Sequence, residues 1–93
     1  MLYISESKIE GVGVFTDNFI KNGEFIVVAI DNYNNVTQIG SKINHSWEPN
    51  ANLFKMNGQY YMVAIKDIYP KEEITANYMN TPDFIKKPNI NWK

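Results

Sequence analysis

The sequence predicts a mostly β protein folded as one domain. Its 93 residues are enough for a single small core. Short runs of β-branched and aromatic residues recur between glycine, proline and asparagine punctuation, which is the pattern of strands and turns. No stretch keeps its apolar residues at a sustained helical spacing, and one short helix is expected only in the tail, around residues 83–87.

In chain order, residues 2–5 form the first expected strand, and Gly11-Val12-Gly13-Val14-Phe15-Thr16 sets two glycines beside a second. Asn22-Gly23 then separates Phe19-Ile20 from residues 24–30, the plainest strand pattern in the chain. Residues 31–35 read as a turn-rich tip, and residues 36–39 as a short strand before Gly40. Beyond an irregular segment at 43–50, apolar runs at 53–56 and 59–65 flank Asn57-Gly58. That dipeptide favours a type I′ hairpin, because both of its residues tolerate positive φ. Pairing across it sets Phe54 against Tyr61 and Lys55 against Tyr60. Residues 67–71 turn the chain into a last strand at 72–78, and the tail from Met79 carries Pro82 and Pro88.

Composition removes several classes of function. The absence of cysteine excludes disulfides and thiolate metal sites, and a single histidine excludes a His-based zinc centre within one chain, so no metal site is expected. A net charge of -1, with nine lysines and no arginine, gives no electrostatic case for nucleic acid. No apolar run approaches the ~18 residues of a membrane span. The start, Met1-Leu2-Tyr3-Ile4-Ser5-Glu6, lacks the basic and apolar regions of a signal peptide, so an intracellular location, in a cytoplasm or host cell, is the expectation. Thirteen asparagines and the lysine-only basic set read as the imprint of an A·T-rich genome.

The densest polar stretch is Ile43-Asn44-His45-Ser46-Trp47-Glu48-Pro49-Asn50, which holds the only histidine. Its side chains can bond neighbouring backbone and hold a loop in shape. Three further features accompany it in a fixed order. Gly11-Val12-Gly13-Val14-Phe15 and Ile20-Lys21-Asn22-Gly23-Glu24-Phe25-Ile26 precede it, and Glu72-Glu73-Ile74-Thr75-Ala76-Asn77-Tyr78 follows. Each feature is weak alone. A Gly-x-Gly often marks a strand-entry turn, and a charged pair before a strand is commonly a solvated turn.

Together these motifs resemble the SET domain, the fold of S-adenosylmethionine-dependent protein lysine methyltransferases, over residues 3 to 78. The likeness is strongest to the small stand-alone SET proteins carried by viruses. It implies a β-clip of short sheets in residues 1–78 with a threaded, pseudoknot-like C-terminal segment, and a tail at 79–93 packing on it. It also implies S-adenosyl-L-methionine as cofactor, held by main-chain groups at Val12 and Gly13, the amide of Asn44 and the backbone of His45. Tyr78 is implied as the catalytic residue, its phenol meeting both the methyl group and the lysine nitrogen and so touching the cofactor too. An aromatic from the tail, Phe84 or Trp92, is implied as a cover over adenine. Phe54, Tyr60 and Tyr61, with Tyr69, are candidate walls of a lysine channel, although aromatics in a small β domain also serve as plain core. Glu73 reads as a hydrogen-bond anchor for the threaded segment.

The chain departs from the family pattern in three places. Only nine residues separate Ile30 from Gly40, where larger relatives insert one wall of the peptide groove. Lys71 stands where glycine is usual and Ala76-Asn77 where an aromatic-acidic pair is common. Lys42 replaces an arginine. The partner expected is a protein or peptide bearing a lysine, and a homodimer could supply the missing wall. Two other readings accompany this one. The first is a catalytically inactive SET-like binding or assembly module. The second is a small β-clip or SH3-like interaction domain with no crevice between Asn44 and Tyr78.

Overall fold

The computed structural model describes residues 1–80, and the helix expected around residues 83–87 falls outside them. Among the described residues seven strands carry the fold: β1 (Leu2–Glu6), β2 (Val12–Thr16), β3 (Phe25–Ile30), β4 (Asn44–His45), β5 (Ala51–Met56), β6 (Gln59–Ala64) and β7 (Glu73–Ala76). Among the described residues, helical structure is confined to two 3-10 turns, Gly40–Lys42 and Tyr78–Asn80. The strands form two sheets, of order β1-β2-β7-β4 and β3-β6-β5.

The second sheet is built around a hairpin whose register follows from its turn. Asn57 and Gly58 adopt φ of 53° and 82°, as a type I′ turn requires. Phe54 then pairs with Tyr61 and Lys55 with Tyr60, as the sequence predicts, and the Lys55 ammonium lies 5.6 Å from the Tyr60 ring. Alternation along each strand sends Ala51, Met62 and Ala64 into the core. Phe54 is left outside, and Tyr61 meets Phe25 edge to face.

The first sheet brings an early strand beside the last described one. β2 pairs antiparallel with β7, Val14 opposite Ile74, and β7 pairs parallel with β4, Asn44 beside Thr75 and His45 beside Ala76. The last described strand therefore lies between an early strand and the polar central segment. One core cluster, including Val14, Ile30, Ile43, Met62, Ile68 and Ile74, draws on both sheets. Burying each of these larger side chains contributes about 1.5–3 kcal/mol.

Two expected strands are corrected. Residues 36–39 are not a strand: Val36 makes one isolated bridge to Ile30, and the chain then curls. Thr37 causes the curl, since its N–H donates to the Ala29 carbonyl while its hydroxyl donates to Val28. The curl is tight enough that a Cβ on Gly40 would lie 2.4 Å from the Ala29 oxygen, so only glycine fits. The strand expected at 72–78 stops at Ala76, because the Tyr78 N–H leaves the ladder for a side-chain acceptor on His45.

Candidate functional site

β4 is a two-residue strand with different business on its two faces. Asn44 points one way, toward the turn between β1 and β2. His45 points the other way and meets Tyr78, which also reaches the backbone carbonyl of Ile43 just before the strand.

On the first face a polar node ties three parts of the chain together. The Asn44 amide nitrogen lies 2.8 Å from Glu73 Oε2, 3.0 Å from Ser7 Oγ, 3.0 Å from the Val12 carbonyl and 3.1 Å from the Glu10 carbonyl. Ser7 donates its hydroxyl to Glu73 Oε1 at 2.7 Å, and its oxygen accepts the Ile9 N–H. Gly13 lies under the Glu73 carboxylate: a Cβ there would come within 2.2 Å of Oε2. The glycine expected to let a cofactor approach is thus required first by Glu73. Val12 is exposed beside it, and nothing lies within 4 Å of the Cβ position of Gly11, whose φ is 44°. The space beside this turn is open, while its carbonyls are engaged, those of Glu10 and Val12 by Asn44 and that of Gly11 by the Ser7 N–H.

On the second face Tyr78 is gripped at both ends. Its N–H donates to His45 Nδ1 at 3.0 Å, and its phenol donates to the Ile43 carbonyl. An N–H can donate to Nδ1 only if that nitrogen carries no proton, so His45 is neutral with its proton on Nε2. Burial pushes the His45 pKa down in agreement, the residue being 4% exposed. Burial pushes the Tyr78 phenol up, so it stays a neutral donor. The His45 ring packs edge-on against Trp47 and Tyr78, with centroids 4.4 and 5.3 Å away.

Tyr78 closes one side of a cavity of about 290 Å3, otherwise lined mainly by apolar groups, among them Ile30, Val36, Leu53, Met62 and Ala76. Of the residues expected as channel walls, none lines it. Leu53 and Met62 form the paired position that faces the cavity, and one residue along, Phe54 and Tyr61 face away. Tyr60 shares the inner face but packs against the core further on, and Tyr69 is exposed against Phe19. Phe84 and Trp92 lie outside the described residues.

The structure adds residues that the sequence reading gave no role. Asn50 clasps β7: its amide donates to the Glu73 carbonyl at 2.8 Å and its oxygen accepts the Thr75 N–H at 2.9 Å. Its place after Pro49, in a loop rich in side-chain donors, is the only sequence signal for this. Ser7 carries no such signal, because its partners lie 37 and 66 residues away. Among the described residues no cluster of three or more His, Cys, Asp or Glu could hold a metal ion.

Comparison with known proteins gives the architecture a context. The family model described as SET domain matches residues 28–79, more than half of the chain. No curated protein matches the sequence. Among solved structures, the chain is similar to a candidate histone methyltransferase of Plasmodium falciparum at 24% identity and a TM-score of 0.66, covering 81% of this chain and 90% of that one. It is also similar to an inhibitor-bound, humanized mutant of the Polycomb Repressive Complex 2 of Chaetomium thermophilum, at 23% identity and a TM-score of 0.69. That match covers 89% of this chain but 15% of the other. At these identities the likeness is one of fold.

Proposed function

This chain belongs to the SET-domain family, and from that premise we propose that it is a protein lysine N-methyltransferase that uses S-adenosyl-L-methionine. The observation that carries the reading is the position of Tyr78, a neutral phenol held at both ends and set in the wall of an apolar cavity.

The residues suit the proposed cofactor in two respects. Open space lies beside the turn at Gly11, near Asn44, and Trp47 is a half-exposed ring packed edge-on against the His45 ring. Val12, Gly13, Asn44 and His45 would hold the cofactor largely through main-chain groups, since the two amide hydrogens of Asn44 are already directed at protein acceptors. When bound, the cofactor supplies an electrophilic methyl group on a sulfonium.

The chain's own work is then positioning and desolvation. Leu53, Met62, Ile30 and Val36 offer an apolar sleeve for the methylene stem of a lysine. Deprotonating a lysine at neutral pH costs roughly 4–5 kcal/mol from its ordinary pKa, and burial in such a sleeve lowers that cost by disfavouring the ammonium. Because the Tyr78 hydroxyl donates to the Ile43 carbonyl, its oxygen faces a methyl group as an acceptor of weak C–H···O contacts.

The test is calorimetric titration with S-adenosyl-L-methionine, followed by transfer of labelled methyl to core histones and lysine-containing peptides. Tyr78→Phe should lower turnover on the order of 100-fold or more, as loss of a preorganised polar group does, and leave cofactor affinity within a few-fold. No cofactor binding at high micromolar concentration would refute the proposal.

A further inference from the structure

We propose that the imidazole of His45 is the positioning residue for Tyr78, its Nδ1 holding the Tyr78 N–H so that the phenol is fixed at the cavity wall. This rests on the methyltransferase reading and gives the His45 side chain a task separate from any backbone contact with a cofactor.

The geometry explains why a side-chain acceptor is needed. β7 ends at Ala76, and the chain turns at once into the 3-10 turn Tyr78–Asn80. The first N–H groups of such a turn have no partner within it. Two side chains supply acceptors: Asn77 Oδ1 takes the Met79 N–H at 2.9 Å, and His45 Nδ1 takes that of Tyr78 at 3.0 Å. At the other end of the same residue the phenol donates to the Ile43 carbonyl. Tyr78 is therefore held at two points two residues apart, its backbone by His45 on β4 and its hydroxyl by Ile43 just before that strand. β4 is itself locked to β7 by the Asn44–Thr75 and His45–Ala76 pairs. The grip thus refers the phenol to the strand that also borders the Val12 turn through Asn44. Loosening the backbone end lets the ring pivot about the Ile43 contact, and a shift of about 1 Å at a reacting centre can cost on the order of 100-fold in rate.

The experiment compares His45→Phe, which keeps a ring but has no acceptor, with His45→Asn, whose carboxamide oxygen can stand where Nδ1 stands. Turnover and KM are measured with labelled cofactor and core histones, and cofactor affinity by calorimetry. His45→Phe should lose between about tenfold and 100-fold in kcat with cofactor affinity changed by no more than a few-fold. His45→Asn should recover most of that loss. Because the chain has a single histidine, ¹⁵N spectra of the wild type report this imidazole alone. They should show an unprotonated Nδ1 coupled to the Tyr78 amide, a readout that does not depend on either variant folding. Unchanged kcat in His45→Phe, no recovery in His45→Asn, or a protonated Nδ1 would each overturn the proposal. A wild type that shows the Tyr78 coupling yet neither binds the cofactor nor turns over would instead refute the methyltransferase reading on which it rests.

Discussion

Glu73→Gln isolates the polar node that joins the turn after β1 to β4 and β7. The substitution keeps shape and volume but replaces one of two acceptor oxygens with a donor. In the native protein Oε1 accepts from Ser7 at 2.7 Å and Oε2 from the Asn44 amide at 2.8 Å. Asn44 can only donate from its nitrogen, so the glutamine must turn its oxygen there and its amide toward Ser7. The Ser7 oxygen already accepts from Ile9 and Glu10, and its hydroxyl hydrogen is left without the carboxylate. Hydrogen bonds to a charged group contribute about 1.5–3 kcal/mol each. Losing the charge on two of them, at a half-buried site, should cost about 2–3 kcal/mol in sum. For a domain of this size that corresponds to a fall in Tm of roughly 10–20 °C. The assay is thermal unfolding followed by circular dichroism, with Glu72→Gln as the control. Glu72 is exposed and its oxygen caps the Tyr69 N–H, a bond glutamine can keep, so its effect should stay within about 0.5 kcal/mol. A Glu73→Gln protein that melts within a degree of wild type, or no lower than the control, would refute the node as a source of stability.

Three further expectations follow from the geometry. Lys71 sits at φ 72°, where a side chain costs about 1–2 kcal/mol and glycine only the about 0.5–1 kcal/mol of its extra unfolded-state entropy. Lys71→Gly should therefore raise stability by about 0.5–1 kcal/mol, measured in urea, while the Lys71 N–H keeps its bond to the Thr16 carbonyl. Asn50→Ala removes both contacts that clasp β7 and should cost about 1–3 kcal/mol in the same assay. The pH dependence has a definite sign. Because the folded pKa of His45 lies below its ordinary value, the unfolded chain binds the extra proton first. The His45 contribution is full above about pH 6.5, and is lost as pH falls from there through the folded pKa. The acid-side decline in Tm should shrink in His45→Asn.

The departure at Lys71 was visible in the sequence, and its physical meaning was not. A lysine in place of the usual glycine was legible as an oddity; that the position needs a left-handed backbone emerged only from the dihedral. The hairpin at Asn57-Gly58 was legible in full, register included, because a two-residue turn fixes pairing between strands that are neighbours in sequence. Residues 36–39 misled because β-branched residues suggest extension, whereas Thr37 spends its hydroxyl and N–H on β3 and turns the chain.

What the sequence determined by itself was the local part: strands set by alternation, turns set by glycine and asparagine, and a set of motifs specific enough to indicate a family. Tertiary structure alone decided which atoms of those motifs meet. Ser7, Asn44 and Glu73 share one node, and Ile43 and His45 grip Tyr78 from a segment more than thirty positions earlier. It also decided that Leu53 and Met62, rather than Phe54 and Tyr61, face the cavity. The reason is physical: periodicity states that alternate residues share a face, but which face is buried depends on the sheet that packs against it.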